Sequence, residues 1–360
     1  MTKAGNHLAK STQPSDYRTM IKRFIPAMLS LGLILAALPR VSALQLDSVY
    51  LAEVRTGINL TVTERFDEAR KVFQTMIDRD TTDHAAYLLL AGVWHGEMFD
   101  REDYSTRPKF DSLISKALSL AKRAIAENRN PAWAHLTRGN AYAYIATLET
   151  KVGSWWGALR KGVAAKNEYL EALALDSTLS DVYLGLGSYH YWKSAKTEFI
   201  NWLPLVPDRK NEGCSELQLA IDSSLFSGDL AANSLLWIYL DWGRFYEAYE
   251  IATRLHQEFP DSRLFTWGLA FSSYYSGHLR EALESFGKIL DTIEHQPGQN
   301  NFNTIECRFH RARIFQMLHE KDKAVAELQT LVGYPVSEEI NDRQQEKLKA
   351  ARELLEEMQK

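Results

Sequence analysis

One amphipathic pattern recurs along most of this chain and constrains its fold more than any other feature. It is clearest in FDEARKVFQTMI (Phe66–Ile77), FYEAYEIATRL (Phe245–Leu255), LREALESFGKIL (Leu279–Leu290) and KDKAVAELQTLV (Lys321–Val332). Each segment carries a small residue, an apolar residue four positions later and another three after that. This spacing gives a helix one apolar face, and the small residue lets a second helix approach closely. The pattern therefore predicts helices that pair and stack.

Small residues mark the second helix of each predicted pair and recur at regular intervals. Three successive intervals are of 48 residues and a later one is of 34; the positions are Ala69, Ala117, Ala165, Gly213, Ala248 and Ala282. Partner segments with a glycine precede them, such as TRGNAYAY (Thr137–Tyr144) and LGLGSYHY (Leu184–Tyr191). A fixed period of this length is typical of stacked structural repeats. We therefore predict about seven units between residues 48 and 336.

Units two to four are longer than the others. Their first-helix glycines, Gly92, Gly139 and Gly187, precede the second-helix small residues by 25 or 26 positions, whereas the gap elsewhere is twelve. The excess is about fourteen residues, or seven for each helix. Seven residues are almost two helical turns, so such an extension keeps the buried face of each helix in phase. The spacing therefore predicts that units two to four are elongated helical hairpins.

The repeated pattern resembles the tetratricopeptide repeat, in which a W-x2-L-G-x2-Y first helix is followed by A-x3-F in the second and by a proline near the end. The matching residues are Tyr183, Leu186, Gly187, Gly139, Tyr142, Ala69, Phe73, Ala248, Ala282, Phe286 and Pro260. The resemblance implies an all-α, right-handed solenoid of helical hairpins. The fourth unit also resembles the tetratricopeptide-39 family, a eukaryotic group of helical repeat proteins, at Gly185, Leu203, Pro204, Asp208, Arg209 and Gly213.

The two ends of the chain differ from the repeats. Lys22 and Arg23 precede an apolar run of fifteen residues, Phe24–Leu38, and small residues follow up to Ala43. This order is that of a secretory signal peptide, and a membrane span would need about twenty apolar residues. We expect residues 1–43 to be a signal peptide, residues 44–336 to form the repeat domain, and the charged segment Ser337–Lys360 to form the capping helix that a solenoid requires.

Charge and motifs narrow the classes of function. Without residues 1–43 the chain holds 36 Lys and Arg against 45 Asp and Glu, a net charge of about −9. This charge disfavours nucleic acid as a partner. The two cysteines, Cys214 and Cys307, are too few for a disulfide framework. No GxSxG, HExxH, CxxC or GxxxxGK[ST] motif occurs. We expect a protein that is secreted across the inner membrane into the periplasm of a Gram-negative bacterium, without enzymatic activity or a cofactor.

Three histidines are candidates for metal ligands. His84 and His95 are eleven residues apart in one predicted first helix and lie on roughly one face, and His190 occupies a helix-packing position in SYHYW. A zinc site needs three or four protein ligands, and no third ligand is evident beside the first two. We therefore predict packing roles for all three histidines and no metal site.

The turns between the paired helices of units two to four should lie on one edge of the stack. Their sequences are MFDREDYSTRP, VGSWWG and FINWLPLVP. They predict an apolar surface, the hairpin-tip ridge, made of Trp155, Trp156, Trp202, Leu203, Leu205 and Val206. An exposed apolar cluster usually marks a contact surface, here for a partner protein or the periphery of a membrane. Packing of neighbouring tips on one another is the alternative.

The resemblance also implies a concave groove lined by positions 2, 5, 9 and 12 of the first helices. These positions select Trp133, Asn140, Ser188, Tyr191, Asn233, Trp237, Trp267, Phe271, Tyr274, Arg313 and Gln316. The C-terminal half of this set is aromatic, and the basic residues with which the family clamps a terminal carboxylate are absent. We therefore predict a scaffold or adaptor that binds an apolar segment of another protein. A periplasmic carrier or receptor component that encloses a small apolar ligand is the alternative, and some of the rings could simply pack between helices.

Overall fold

The computed structural model describes residues 47–151, 153–198, 207–294, 296 and 298–360. The predicted signal peptide lies outside these residues. Within them the chain forms sixteen α-helices and no strand, as predicted for an all-α fold. None of the helices in this part of the chain is long and apolar enough to cross a bilayer.

The helices pair in chain order into seven hairpins. Their bounds are α1 Ser48–Val62, α2 Phe66–Arg79, α3 His84–Arg101, α4 Arg107–Ala126, α5 Pro131–Lys151, α6 Trp155–Leu175, α7 Val182–Lys196, α8 Lys210–Ser223, α9 Gly228–Asp241, α10 Phe245–Glu258, α11 Arg263–Ser276, α12 Leu279–Glu294, α13 Phe302–Met317, α14 Lys321–Val332, α15 Glu338–Arg343 and α16 Gln345–Gln359. Each odd-numbered helix from α1 to α13 packs on the even-numbered helix that follows it. The prediction of about seven units is confirmed.

The prediction of elongated hairpins is confirmed for units two and three. Helices α3 to α6 are 18, 20, 21 and 21 residues long, whereas α9 to α14 have 12 to 16. Unit four differs, because α7 and α8 have only 15 and 14 residues. Its additional residues include Pro204 and Pro207, and proline is not tolerated inside a helix. The Asp208 carboxylate accepts a hydrogen bond from the Lys210 backbone N–H at 2.9 Å, where α8 begins.

Glycines allow neighbouring helices to touch, both within a unit and between successive units. An added Cβ at Gly187 would lie 2.6 Å from the carbonyl oxygen of Gly213, so α7 and α8 meet backbone to backbone. At Gly185 it would lie 2.2 Å from the ring of Tyr169, which reaches across from α6. Real Cβ atoms do not approach this closely, so side chains at these glycines would force the helices apart.

Two helices rather than one follow the last hairpin. The predicted capping segment is interrupted at Gln344, which is buried and whose side-chain nitrogen donates to the Phe302 carbonyl at 3.3 Å. Helix α16 then packs on α14 and buries Leu348, Ala351 and Leu354 against it. The outer side of α16 is charged, as expected for the end of a solenoid.

Units one and two also contact the beginnings of units six and seven, and α15, through a polar junction, which we call the closing seam. Its residues are Val62, Glu64, Asp100 and Glu102 on one side and Ser262, Arg263, Leu264, Asn300, Asn303 and Arg343 on the other. The Ser262 hydroxyl donates to the Val62 carbonyl at 2.5 Å. The Glu64 carboxylate accepts from the backbone N–H groups of Arg263 and Leu264, both at 2.9 Å, at the start of α11.

Ion pairs complete the closing seam. Arg263 donates to both carboxylate oxygens of Asp100, at 2.7 and 2.6 Å, and the two side chains are only 8% and 10% exposed. The Asn303 amide donates to the Asp100 carbonyl at 2.7 Å. The Glu102 carboxylate pairs with Arg343 and, at 2.7 Å, with Lys151. The four seam residues of the first two units thereby each contact a residue far along the chain.

Apolar contacts support the seam on its inner side. Val62 and Ile58 of α1 join the core cluster formed by α9, α10 and α11. Phe226, in the turn before α9, packs against the same two core clusters as Tyr50 of α1 and lies edge-on to Trp133 of α5, with ring centroids 5.6 Å apart. The N-terminal units therefore lie against the beginnings of the first helices of later units.

Candidate binding surfaces

A continuous set of half-buried rings lies on the first helices of units five to seven. We call it the aromatic row and define it as Trp237 of α9, Trp267, Phe271 and Tyr274 of α11, and His310 of α13. Ring centroids are 5.7 Å apart for Trp237 and Phe271, 5.0 Å for Phe271 and His310, and 5.4 Å for Tyr274 and His310. These separations are those of favourable aromatic pairs. The row thus joins three consecutive units.

Phe286 of α12 supports the aromatic row from the core. It is fully buried and contacts Phe271 edge-on at 5.3 Å and stacks on His310 at 5.1 Å. His310 also contacts Glu306 through Nε2 at 3.0 Å. Burial opposes ionisation of Glu306, but His310 and Lys347 outweigh it and hold its pKa at about 2. Phe271 and His310 are therefore held by Phe286 from the core, and His310 is held also by its contact with Glu306.

Four groove residues predicted in units three and four are engaged within the fold. Trp133 and Tyr191 are 7% and 1% exposed, and the Tyr191 hydroxyl donates to Asp241 at 2.8 Å. Asn140 accepts from the Tyr169 hydroxyl at 2.8 Å, and the Ser188 hydroxyl donates to a carbonyl of its own helix. Trp133 and Tyr191 thus belong to the core, and this part of the predicted groove offers few free side chains.

The remaining predicted groove residues lie in units five to seven. Trp237, Trp267, Phe271 and Tyr274 form most of the aromatic row, Asn233 and Gln316 are half-buried, and Arg313 is exposed. The side-chain oxygen of Asn233 has no hydrogen-bond partner among the described residues. No groove position of the repeat pattern selects His310, so its place in the row follows only from the packing of α13 on α12.

The tryptophan pair begins α6, directly after the turn that joins it to α5. Gly153 provides a positive φ of 75° in this turn, and Trp155 and Trp156 are 40% and 77% exposed. The other members of the predicted hairpin-tip ridge, Trp202, Leu203, Leu205 and Val206, lie outside the described residues. The structure therefore describes an exposed tryptophan pair, and the wider ridge stays a prediction.

Two of the candidate histidine ligands, His84 and His95, are each hydrogen-bonded to a neighbouring side chain. His84 is hydrogen-bonded to Thr137 at 2.9 Å, and burial lowers its pKa to about 4. His95 is hydrogen-bonded to Thr147 at 2.8 Å and stacks on Tyr144 at 4.8 Å, and burial lowers its pKa to about 3. Both rings are therefore neutral packing groups near neutral pH.

His190, Glu212 and Glu216 place ligand atoms within 4.8 Å of one another. His190 donates from Nδ1 to Glu216 at 2.6 Å and accepts at Nε2 from Arg209 at 2.6 Å. Arg209 in turn donates to Glu212 at 2.5 Å. The guanidinium already supplies the positive charge between these groups, and both ring nitrogens are used. The cluster is an ion-pair network that anchors the start of α8.

The cavities near these surfaces are small or open. A small cavity beside the seam, lined by Arg101, Ile293 and Asn303 among others, has a volume of about 10 Å³. That is room for one water molecule at most. A wider depression on α12 is open to solvent and lined by charged residues including Arg280, Glu284 and Lys288. Neither provides an enclosed apolar space.

Comparison with known proteins places the fold. No family model and no curated protein matches the sequence. A chain in the crystal structure of the APC/C hetero-tetramer Cut9-Hcn1 is similar over 79% of this chain and 46% of its own length, with 14% identity and a TM-score of 0.52. PilW, a type IV pilus biogenesis factor, is similar over 72% of this chain and 97% of its own, with 17% identity and a TM-score of 0.46.

A tetratricopeptide repeat protein from Parabacteroides merdae is similar over 87% of this chain and all of its own, with 14% identity and a TM-score of 0.37. The chain spans about half the length of the similar chain in the Cut9-Hcn1 structure, since the similarity covers 46% of that chain. At such identities the likeness concerns the fold alone. Seven stacked hairpins with close helix contacts at small residues define an all-α repeat solenoid. The chain has the tetratricopeptide repeat fold.

Proposed function

We propose that this protein is a non-enzymatic scaffold or adaptor that binds an apolar segment of another protein on the aromatic row. The observation that carries the proposal is the continuity of the row across α9, α11 and α13, with ring centroids 5.0 to 6.0 Å apart. The rings are half-buried, so each is held rigidly and keeps an accessible part. Rigid aromatic anchors of this kind dominate the energy of protein interfaces.

The chemistry of the row suits an apolar peptide segment rather than a charged terminus. Trp237, Trp267, Phe271 and Tyr274 offer flat apolar surface. An amphipathic helix or an extended apolar segment fits such a surface. The similar Cut9-Hcn1 chain was solved in a complex with a partner protein, which agrees with this class of function.

The proposal includes export from the cytoplasm to the periplasm. It is supported by the basic, apolar and small residues in order between Lys22 and Ala43. N-terminal sequencing of the protein purified from its native cell tests it, and we expect the mature chain to begin at Leu44. Recovery of the intact segment Phe24–Leu38 in a membrane fraction would contradict cleavage.

The carrier alternative would require an enclosed apolar space, which neither cavity provides.

Peptide binding tests the aromatic row directly. The purified protein is screened against an array of about 15-residue peptides, with apolar sequences and matched sequences in which the apolar residues are charged. The best apolar peptide should bind Trp237→Ala and Tyr274→Ala about 30-fold more weakly, because an aromatic anchor contributes about 2 kcal/mol. Tyr246→Ala is the matched control, since Tyr246 is 67% exposed on a second helix. Equal affinities for all variants, or tighter binding of charged peptides, would refute the assignment.

A further inference from the structure

The outward face of α6 carries exposed apolar residues along most of its length, with the exposed polar residue Asn167 between them. Trp156, Val163 and Leu170 are 77%, 37% and 47% exposed, and Ala174 is exposed too. These residues follow one another at spacings of seven, seven and four, so they share one side of the helix. We call them the α6 stripe. It extends over about 27 Å, from a rise of about 1.5 Å per residue.

Helix α4 is the second helix of the preceding unit and has no apolar stripe between Arg107 and Ala126. The position of α6 in its unit therefore does not explain the stripe. Helix α4 has nearly the same length as α6, with 20 residues against 21. Its exposed residues at helical spacing are Lys109, Ser112, Lys116, Ser119 and Arg123. On the other side, α8 exposes Asn211, Ser215, Gln218 and Asp222. Among the described residues of these three helices, α6 thus carries the longest run of exposed apolar residues, and the only large apolar side chain exposed on α8 is Leu219, at 48%. An extended apolar surface flanked by polar residues is typical of a protein interface.

The charges beside the stripe are self-complementary. Arg160 and Glu171 are exposed on the same flank of α6, about 20° apart around the helix axis at 100° per residue. Neither forms an ion pair with another described residue. In a two-fold symmetric, antiparallel pair of helices the same flanks face each other, so Arg160 of one copy meets Glu171 of the other twice.

The same register also matches the sizes of the apolar side chains. With Arg160 opposite Glu171, Trp156 of one copy falls within one residue of Ala174 of the other. The largest side chain of the stripe therefore covers the smallest at both ends, and Val163 and Leu170 lie in the middle beside the exposed Asn167. One alignment satisfies both the charges and the volumes.

We propose that this protein forms a homodimer through antiparallel packing of two α6 helices along the α6 stripe. The surface lies on a different unit from the aromatic row, so the proposal stands independently of the peptide-binding function. A membrane is the weaker occupant, because Glu171 and a net charge of about −9 without residues 1–43 oppose an anionic bilayer. The dimer would carry two aromatic rows and would therefore bind a partner that has two apolar segments with higher avidity.

Sedimentation equilibrium of the purified protein between about 1 and 100 µM tests the dimer. We expect the wild-type chain to dimerise and Val163→Glu to raise the dimer dissociation constant at least tenfold, because it buries a carboxylate in an apolar contact. Ser119→Glu on α4 is the matched control and should change nothing. Circular dichroism melts confirm that both variants fold.

Charge exchange tests the register. Arg160→Glu and Glu171→Arg should each weaken the dimer, since each places like charges opposite one another, and the double variant should restore it. A wild-type monomer at 100 µM, a dimer insensitive to Val163→Glu, or failure of the double variant to recover would each overturn the proposal. Binding of the monomer to phosphatidylglycerol vesicles with a blue shift of tryptophan emission would assign the stripe to a membrane instead.

Discussion

The stack of hairpins and the closing seam are held together by different kinds of contact. Between successive units the contacts are apolar, as at Phe286, which is fully buried under the aromatic row. At the seam they are polar, as at Asp100 and Arg263, which are 10% and 8% exposed. Apolar burial is the main source of stability along the stack. The seam instead selects which distant units meet, because directional bonds tolerate only one arrangement.

The difference concerns specificity as well as energy. A buried ion pair costs desolvation that its attraction only partly recovers, so Asp100 and Arg263 need not stabilise the fold relative to apolar residues. Removing one partner is costly nevertheless, because the other is left buried and charged. The two regions should therefore respond differently to single and paired substitutions.

The largest effect is expected in the stack. Phe286→Ala should lower the free energy of unfolding by about 3–5 kcal/mol, because it leaves a cavity beneath Phe271 and His310. Urea denaturation followed by circular dichroism measures it. Tyr246→Ala, at a residue that is 67% exposed, is the control and should cost less than about 0.5 kcal/mol. Similar losses for both variants would show that the stack does not depend on this contact.

The seam should show a smaller loss that a second substitution cancels. Asp100→Ala should cost about 3 kcal/mol, because the Arg263 guanidinium then lacks its partner. The double variant Asp100→Leu with Arg263→Met should be close to the wild type in stability, since both charges are gone. Urea denaturation of Asp100→Leu, Arg263→Met and the double variant gives the coupling. Additive losses would mean that the pair does not act as a unit.

The stack could be predicted from the sequence and the seam could not. Periodic small and apolar residues reveal the stack, because each unit packs on its neighbour in the chain; Gly187 and Gly213 are examples. Asp100 and Arg263 are 163 residues apart and belong to no period. Their contact depends on how far the solenoid turns in each unit, which is the sum of many small rotations between helices.

The binding surfaces show the same limit. The positions of the repeat pattern identified Trp237, Phe271 and Tyr274, which the fold brings together. They also selected Trp133, which is buried because Phe226 from a turn far along the chain covers it. In unit four the residue count predicted longer helices, but the prolines in the inserted segment have a local effect that a count does not include.

A matched pair of serines isolates one hydrogen bond of the seam. Ser262 caps α11 by accepting from the Phe265 N–H at 3.2 Å, and it also donates to the Val62 carbonyl at 2.5 Å. Ser337 caps α15 in the same way, by accepting from the Ile340 N–H at 3.3 Å. Ser337→Ala should cost about 1 kcal/mol and Ser262→Ala about 2, since only the second loses a bond across the seam. Equal melting temperatures for the two variants would assign no stability to the seam bond.

The smallest effect concerns the pH dependence of the seam at Glu64. Burial raises the pKa of this carboxyl to about 7, although the backbone N–H groups of Arg263 and Leu264 and the Arg263 charge favour its ionised form. Between about pH 4.5 and 7 the folded chain then binds more protons at Glu64 than the unfolded chain. Stability from this group is therefore present at low pH and is lost as the pH rises through 7.

Other groups titrate in the same range, so the effect has to be measured as a difference between two proteins. Burial lowers the pKa values of His84 and His95 to about 4 and 3. These histidines therefore make stability rise with pH, and they do so in the wild type and in Glu64→Gln alike. The stability of the wild type relative to Glu64→Gln should fall by about 1 kcal/mol between pH 6 and pH 7, or about 2 °C in Tm. Thermal melts at several pH values measure it. A relative stability that rises with pH would mean that hydrogen bonds to the carboxylate outweigh its burial, and that Glu64 closes the seam as an ionised cap of α11.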